Sequence, residues 1–140
     1  MALAYESEIS IGSMCGKMDQ VCAYGQGIRK ICFDGDEVEV VPLKMGKEMS
    51  FILVDLQGTK DTKKILSDLN AIYPVAKNIK EARLLKSLGE FNKKCVEEAE
   101  RYLVKGDIKN FASVLKDFQK NFDENIACFS TELRAPLLHR

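Results

Sequence analysis

The spacing of apolar side chains changes once along this chain, near Gly58, and that change constrains the fold most strongly. Before Gly58, two β-like runs at residues 28–33 and 38–43 flank the pair Asp34-Gly35. Such a pair between two β-like runs is a strong signal for a β-hairpin. Residues 50–56 form a continuous apolar run of strand length, which predicts a buried strand.

After Gly58, apolar residues recur at helical spacing as far as residue 126. The spacing predicts four helices, and a fifth is expected to open at Thr131 with an acidic first turn. Tyr73-Pro74 ends the first of them, and Gly106 ends the third. The predicted helices cover residues 62–69, 79–88, 91–103 and 108–126. Strand signals followed by a run of helices predict an α+β fold.

The two ends of the chain also carry helical patterns. Residues 3–8 are helix formers without a preceding cap, and the last pattern stops at Arg140 before its apolar face is complete. A short helix is expected between Gly16 and Gly25. These ends favour a segment of a longer protein, and the alternative is that both are simply frayed termini.

Charge and composition exclude several classes of protein. The 21 basic and 21 acidic side chains cancel, which argues against a nucleic-acid partner and against a polybasic membrane anchor. There is no apolar run long enough for a transmembrane helix. Residues 1–12 carry two glutamates and no basic residue, unlike a secretory signal. A soluble cytoplasmic protein is the expectation.

Cysteine and histidine offer little chemistry of their own. The five cysteines are widely spaced, and His139 is the only histidine. This pattern predicts neither a zinc site nor a disulfide framework, and buried reduced thiols are the expectation. Cys15 with His139 is a poor nucleophile–base pair, because no third group is evident to hold the base. No metal ligand is therefore predicted.

One stretch carries a more specific signal. Asp19 stands in the first turn of the short predicted helix, directly after Gly16. Unpaired amides and the helix dipole favour a carboxylate there, which would stay ionised and could accept a proton or orient a hydroxyl. Gly16 would let a ligand approach the backbone. The same pattern is equally consistent with a helix cap.

The residues around Asp19 resemble the "CG-x-MDQ" stretch of the GHMP kinases, the family of galactokinase, homoserine kinase and mevalonate kinase. The likeness continues in the same order along the chain and is greatest for galactokinase- and glucuronokinase-like enzymes. The stretches that carry it are Cys15-Gly16-Lys17-Met18-Asp19-Gln20, Phe33-Asp34-Gly35-Asp36, Val54-Asp55-Leu56, Lys60-Asp61-Thr62, Leu66-Ser67-Asp68-Leu69-Asn70 and residues 132–139.

The resemblance implies an enzyme that phosphorylates a hydroxyl of a small metabolite, such as a sugar, with Mg-ATP. It implies that Asp19 is the active-site base or orients the acceptor hydroxyl. It also implies a sugar pocket lined by two groups of residues, Cys15, Gly16 and Lys17 in one, Lys60 and Thr62 in the other. By the same resemblance, residues 1–49 are the end of the N-terminal kinase domain, and residues 50–140 open the C-terminal domain.

The chain departs from the family at both nucleotide-binding elements. No stretch resembles the "P-x-x-x-G-L-S-S-S" loop, nor the final "G-x-G-x-G-G" loop. The expectation is therefore that Mg-ATP belongs to the full-length parent, and that this chain alone binds no cofactor and is inactive. It would then associate with itself or with the missing part of the kinase. Two alternatives stay open: a stand-alone, non-catalytic module that binds a sugar or a protein, and a helical interaction module whose likeness to kinases is accidental.

Overall fold

The computed structural model describes residues 2–12, 16–23, 26–35 and 37–134. These residues form helices and one two-stranded antiparallel sheet, so the predicted α+β class is confirmed in general terms. The helices are α1 (Ala2–Ser10), α2 (Met18–Cys22), α3 (Thr62–Asn70), α4 (Ile79–Lys86), α5 (Asn92–Lys105) and α6 (Ile108–Asn125), and the strands are β1 (Ile28–Asp34) and β2 (Glu37–Leu43).

The predicted hairpin is present. Strands β1 and β2 pair antiparallel, with Ile28 opposite Leu43 and Asp34 opposite Glu37. Gly35 follows β1 with φ at +58°, a backbone conformation that costs glycine little and most other residues more. A local turn signal was therefore sufficient to define this element.

The predicted buried strand at residues 50–56 is wrong for the described chain. Residues 51–56 belong to no helix or strand and are exposed to solvent. The side chains of Ile52 and Leu53 are 92% and 98% exposed. Because a strand is stabilised by pairing, and the described sheet contains only β1 and β2, this apolar run has no neighbour to pair with.

The four helices predicted between Gly58 and residue 126 are present, with one difference. Helices α4 and α5 do not separate but join through a π-helical turn, Ser87–Phe91. Such a turn shifts the helical register between the apolar face of α4 and the apolar face of α5. Leu84 on α4 and Cys95 on α5 are therefore both buried, although their apolar residues follow two separate helical patterns in the sequence. Gly106 ends α5 in the left-handed conformation, with φ at +70°, as predicted.

Three helices begin at side-chain caps. The carboxylate or amide oxygens of Asp61, Asn78 and Asp107 accept the backbone amides of Lys64, Glu81 and Asn110, three residues further on. These bonds satisfy amides that have no partner within the helix. The sequence thus fixes the starts of α3, α4 and α6 locally.

The core lies mainly between α5, α6 and the turns around them. The chain after α6 forms two short 3₁₀ turns, Ala127–Phe129 and Thr131–Leu133, and the second packs against α3. Arg134 then leaves in an extended conformation, so the expected α-helix does not open at Thr131. The buried apolar residues are Val21, Ile65, Leu84, Cys95, Leu103, Val114, Ile126 and Ala127.

Two contacts attach the hairpin to α5. The ammonium group of Lys30 on β1 lies 2.8 Å from the Glu100 carboxylate. The loop after β2 follows the end of the same helix, where the Gly46 amide donates to the Leu103 carbonyl oxygen at 3.0 Å. The hairpin is therefore held along the C-terminal half of α5.

Candidate substrate site

The first group of predicted site residues lies at the start of α2. Gly16 is exposed, and open space surrounds the position that a β-carbon would occupy. Asp19 is the second residue of α2, and Val21, two residues later, is 2% exposed and anchors the helix. Cys15 lies outside the described residues. The backbone near Gly16 is thus open to solvent, while α2 is held from its buried side.

Lys17 bridges α2 to α1. Its ammonium group lies 5.5 Å from the centre of the Tyr5 ring, within the range of a cation–π contact. Its carbonyl oxygen accepts the amide of Val21 at 3.2 Å, which extends the helical hydrogen bonding to the residue before α2. The side chain predicted to line the sugar pocket is therefore half-buried beside α1.

The second group lies at the start of α3. Lys60 is exposed in the irregular segment before the helix, and Thr62 is the exposed first residue of α3. Between them, Asp61 caps α3 by accepting the Lys64 amide at 3.0 Å. Lys60 and Thr62 therefore flank a cap whose carboxylate is already engaged.

The start of α3 meets a segment that follows it by about 70 residues. The Asp61 amide donates to Glu132 Oε2 at 3.1 Å, and Lys64 Nζ donates to Thr131 Oγ1 at 3.2 Å. Lys64 also pairs with Asp68, one helical turn further, at 3.1 Å. We refer to these five residues as the junction cluster: Asp61, Lys64, Asp68, Thr131 and Glu132.

Electrostatics within the junction cluster favour an ionised Asp68. The Ser130 hydroxyl and then the Lys64 ammonium group lower the pKa of Asp68. The Ser130 side chain is 4% exposed, and although it lies close enough to act on Asp68, its hydroxyl falls short of hydrogen-bond geometry with any described partner. The junction cluster thus holds a negative charge next to the buried hydroxyl of Ser130.

Sequence reasoning named Lys60 and Thr62 but missed Lys64, Thr131 and Ser130 as neighbours of a possible site. The spacing of Lys64 and Asp68 could have indicated their pair, because residues four apart meet on a helix surface. No local pattern could have indicated the contact of Lys64 with Thr131, since 67 positions separate them.

A groove of about 290 Å³ lies between α5 and α6, and sequence reasoning did not find it either. Its lining includes positively charged lysines, negatively charged carboxylates and the buried Cys95. Burial, and then the charges of Glu98 and Asp117, raise the pKa of the Cys95 thiol. The protonated thiol is a weak nucleophile at neutral pH, so Cys95 is unsuited to covalent catalysis.

In the part of the chain that the structure covers, Cys22, Cys32, Cys95 and Cys128 are free thiols, and no three acidic, cysteine or histidine side chains are arranged to hold a metal ion. His139 lies outside this part. The helices found there are all too short or too polar to cross a membrane.

The predicted site residues fall into two groups in the structure. Lys17 joins the α2 group to α1, and Asp61 joins the α3 group to the segment after α6.

Comparisons of the chain with protein-family models, with curated proteins and with solved structures find no match.

Proposed function

We propose that this chain is a segment of an ATP-dependent kinase that phosphorylates a hydroxyl of a small sugar. Asp19 takes the acceptor hydroxyl's proton, or orients that hydroxyl, so that its oxygen becomes the nucleophile. Gly16 and Lys17, with Cys15 before them, form one side of the sugar pocket, and Lys60 and Thr62 contribute to another. The proposal starts from the ordered resemblance to the GHMP kinases along the sequence.

One structural observation carries the proposal further. Two stretches that share the resemblance, Lys60-Asp61-Thr62 and the segment from Glu132, lie against each other through the bond from the Asp61 amide to Glu132. Stretches that form one substrate pocket must meet in the fold, however distant in sequence. This contact supports a common role for two stretches that the sequence alone only places in order.

The local structure around Asp19 suits the same role. A glycine with open space above it precedes the helix, so a ligand can approach the backbone there. Burial of Val21 holds α2 in place, and catalysis of phosphoryl transfer depends largely on such positioning.

The sequence has no stretch that resembles the family's glycine-rich phosphate loops, so the proposal assigns Mg-ATP to the full-length parent. We therefore derive only the acceptor side of the reaction from this chain: binding of the sugar and handling of its hydroxyl proton by Asp19.

Calorimetric titration with hexoses and uronic acids tests the acceptor side directly. We expect one sugar class to bind the 140-residue chain and the binding to be lost in Lys60→Met. The control variant is Lys63→Met, an exposed lysine in the first turn of α3. A folded chain that binds none of these sugars, or that binds equally well without Lys60, would contradict the pocket.

The role of Asp19 is tested in the longer enzyme that the proposal requires. Asp19→Asn should abolish phosphoryl transfer while leaving ATP binding nearly intact, because the substitution removes the proton acceptor but not the nucleotide site. Near-normal turnover in this variant would refute the assignment. Sugar binding by the chain, combined with a parent that never transfers phosphate, would favour the non-catalytic binding module instead.

A further inference from the structure

The outward side of α4 is both basic and apolar. Its members are Ile79, Ala82, Arg83 and Lys86, which we refer to as the α4 face. Their spacing of three, four and seven residues from the first member places them on one side of an α-helix. All of them are exposed, and Ile79 is 75% exposed, whereas Leu84 is fully buried on the other side of the helix.

The loop that leads into α4 continues this kind of surface. Tyr73 and Val75 are 69% and 70% exposed, and Lys77 follows them. Residues 73–86 together carry four basic side chains and one acidic side chain. The rest of the chain therefore has three more acidic than basic side chains. The zero net charge of the whole chain, which argues against a polybasic membrane anchor, thus conceals a basic surface at one place in the fold.

The positive charges of this surface are available to an external anion. Lys77, Lys80 and Arg83 form no ion pair within the described chain. Lys86 Nζ lies 3.9 Å from Glu90 Oε2, but the two side chains are 70% and 79% exposed, so that water and salt screen the pair.

The one carboxylate within residues 73–86 is turned towards the start of α4. Glu81 accepts the Lys77 amide at 2.6 Å and the Asn78 side-chain nitrogen at 2.9 Å. Both oxygens of this carboxylate are therefore engaged by N–H donors at the helix cap. The ammonium and guanidinium groups around it are left for a partner outside the chain.

We propose that the α4 face and the loop before it bind the surface of a membrane that contains anionic phospholipids. The cations bind the headgroups, while the apolar side chains enter the boundary between headgroups and acyl chains. Tyr73 suits this boundary, because its ring is apolar and its hydroxyl is polar. The acidic excess elsewhere on the chain is repelled by the same surface, which orients the basic side towards it. This inference stands apart from the proposed kinase function.

The apolar side chains favour a lipid surface over other anionic partners. A nucleic-acid backbone or a run of acidic residues would satisfy the cations but would leave Val75 and Ile79 in water. A lipid surface takes up both kinds of side chain at once, since its headgroups are charged and the layer beneath them is apolar.

Co-sedimentation with vesicles tests the proposal. We expect the chain to bind vesicles of phosphatidylcholine with about 30% phosphatidylserine, and not vesicles of phosphatidylcholine alone. The double variant Arg83→Glu, Lys86→Glu should lower the partition coefficient roughly ten-fold or more, because two attractive charges become repulsive. The matched control is Lys109→Glu, Lys116→Glu, which makes the same change of net charge at two exposed positions on α6. Far-UV circular dichroism shows that each variant is folded.

A fluorescent reporter tests whether the loop enters the apolar layer. The chain contains no tryptophan, so Tyr73→Trp introduces a single one. Its emission should shift to shorter wavelength on anionic vesicles, because the ring leaves water, whereas Leu115→Trp, at a position on α6 that is 49% exposed, should show no shift. Ile79→Gln should weaken vesicle binding several-fold even in high salt, where charge attraction is screened, and Leu115→Gln should not.

Three results would each overturn the proposal. The first is equal binding to neutral and anionic vesicles, and the second is binding that the double charge reversal on α4 reduces no more than its control does. The third is a folded chain that ignores all vesicles but is retained by a single-stranded oligonucleotide or by polyglutamate, which would assign the basic surface to a different anionic partner.

Discussion

The backbone amide of Gly46 and the carbonyl oxygen of Leu103 form a 3.0 Å hydrogen bond that joins the loop after the hairpin to the end of α5. The approach is so close that a β-carbon at residue 46 would collide with the Val104 carbonyl oxygen and lie 2.6 Å from the Gly106 nitrogen. All of these obstacles are backbone atoms, which cannot turn aside as a flexible side chain can. A side chain at residue 46 is therefore incompatible with this packing.

Gly46→Ala is expected to lower the free energy of unfolding by about 1–3 kcal/mol, the range for inserting a methyl group into filled space. Urea denaturation followed by circular dichroism measures the change. Gly58→Ala is the matched control, because nothing lies within 4 Å of a β-carbon at residue 58. Equal denaturation midpoints for the two variants would show that the loop does not pack on α5.

The cap of α6 supplies a second prediction. Asp107 accepts the Asn110 amide at 3.1 Å and the Asn110 side-chain nitrogen at 2.6 Å, and these bonds lower the pKa of Asp107. Asp107→Ala should lower the stability of the fold, because the Asn110 amide loses its acceptor at the start of α6. Asp107→Ser, which keeps an acceptor oxygen, should recover most of that loss. Thermal unfolding that ranks the serine variant below the alanine variant would contradict this account.

The hairpin and the helix ends could be predicted because local residues determine them. Asp34-Gly35 sets the turn of the hairpin, and Gly106 ends α5. The union of α4 and α5 could not be read from the sequence, because the π-helical turn shifts the apolar face between two patterns that each look separate.

The exposed apolar residues 51–56 and the junction cluster show a different limit. A continuous apolar run indicates that a segment needs burial, but it does not say whether a partner strand lies in the same chain. The bond between Asp61 and Glu132 links positions 71 residues apart, so no spacing rule could have found it. The stretch that contains Asp61 and the stretch that begins at Glu132 both share the resemblance to a kinase family. Only the fold shows that they are in contact.

A third prediction concerns the ion pair between Lys30 and Glu100. The hydrogen bond and the charge of Glu100 raise the pKa of Lys30 above its ordinary 10.5. A raised lysine pKa means that the ion pair stabilises the fold fully below about pH 10.5, and that this contribution is lost as the pH rises through the folded-state pKa. Lys30→Met should therefore be less stable than the wild type at pH 7.

Urea denaturation at several pH values checks the Lys30 prediction. The difference between wild type and Lys30→Met should shrink above about pH 10.5, and at pH 7 it should shrink with added salt, because both side chains are partly exposed. A double-mutant cycle with Glu100→Gln isolates the pair from other effects of the methionine. No coupling between positions 30 and 100 at low salt would show that the pair contributes nothing.

The last prediction concerns the junction cluster in acid. The Ser130 hydroxyl and the Lys64 ammonium group hold the pKa of Asp68 below its ordinary 3.8. For a depressed carboxyl pKa, the stabilisation is fully present above pH 3.8 and is lost as the pH falls through the folded-state pKa. Asp68→Asn should therefore be less stable than the wild type at pH 7, and the stabilities of the two proteins should converge as the pH falls below 3.8.

Urea denaturation at several pH values from 7 to 2 measures the stability difference between the wild type and Asp68→Asn, with Asp117→Asn on α6 as the control. A stability difference that persists undiminished in acid would show that the carboxylate charge of Asp68 does not hold α3 against the segment after α6.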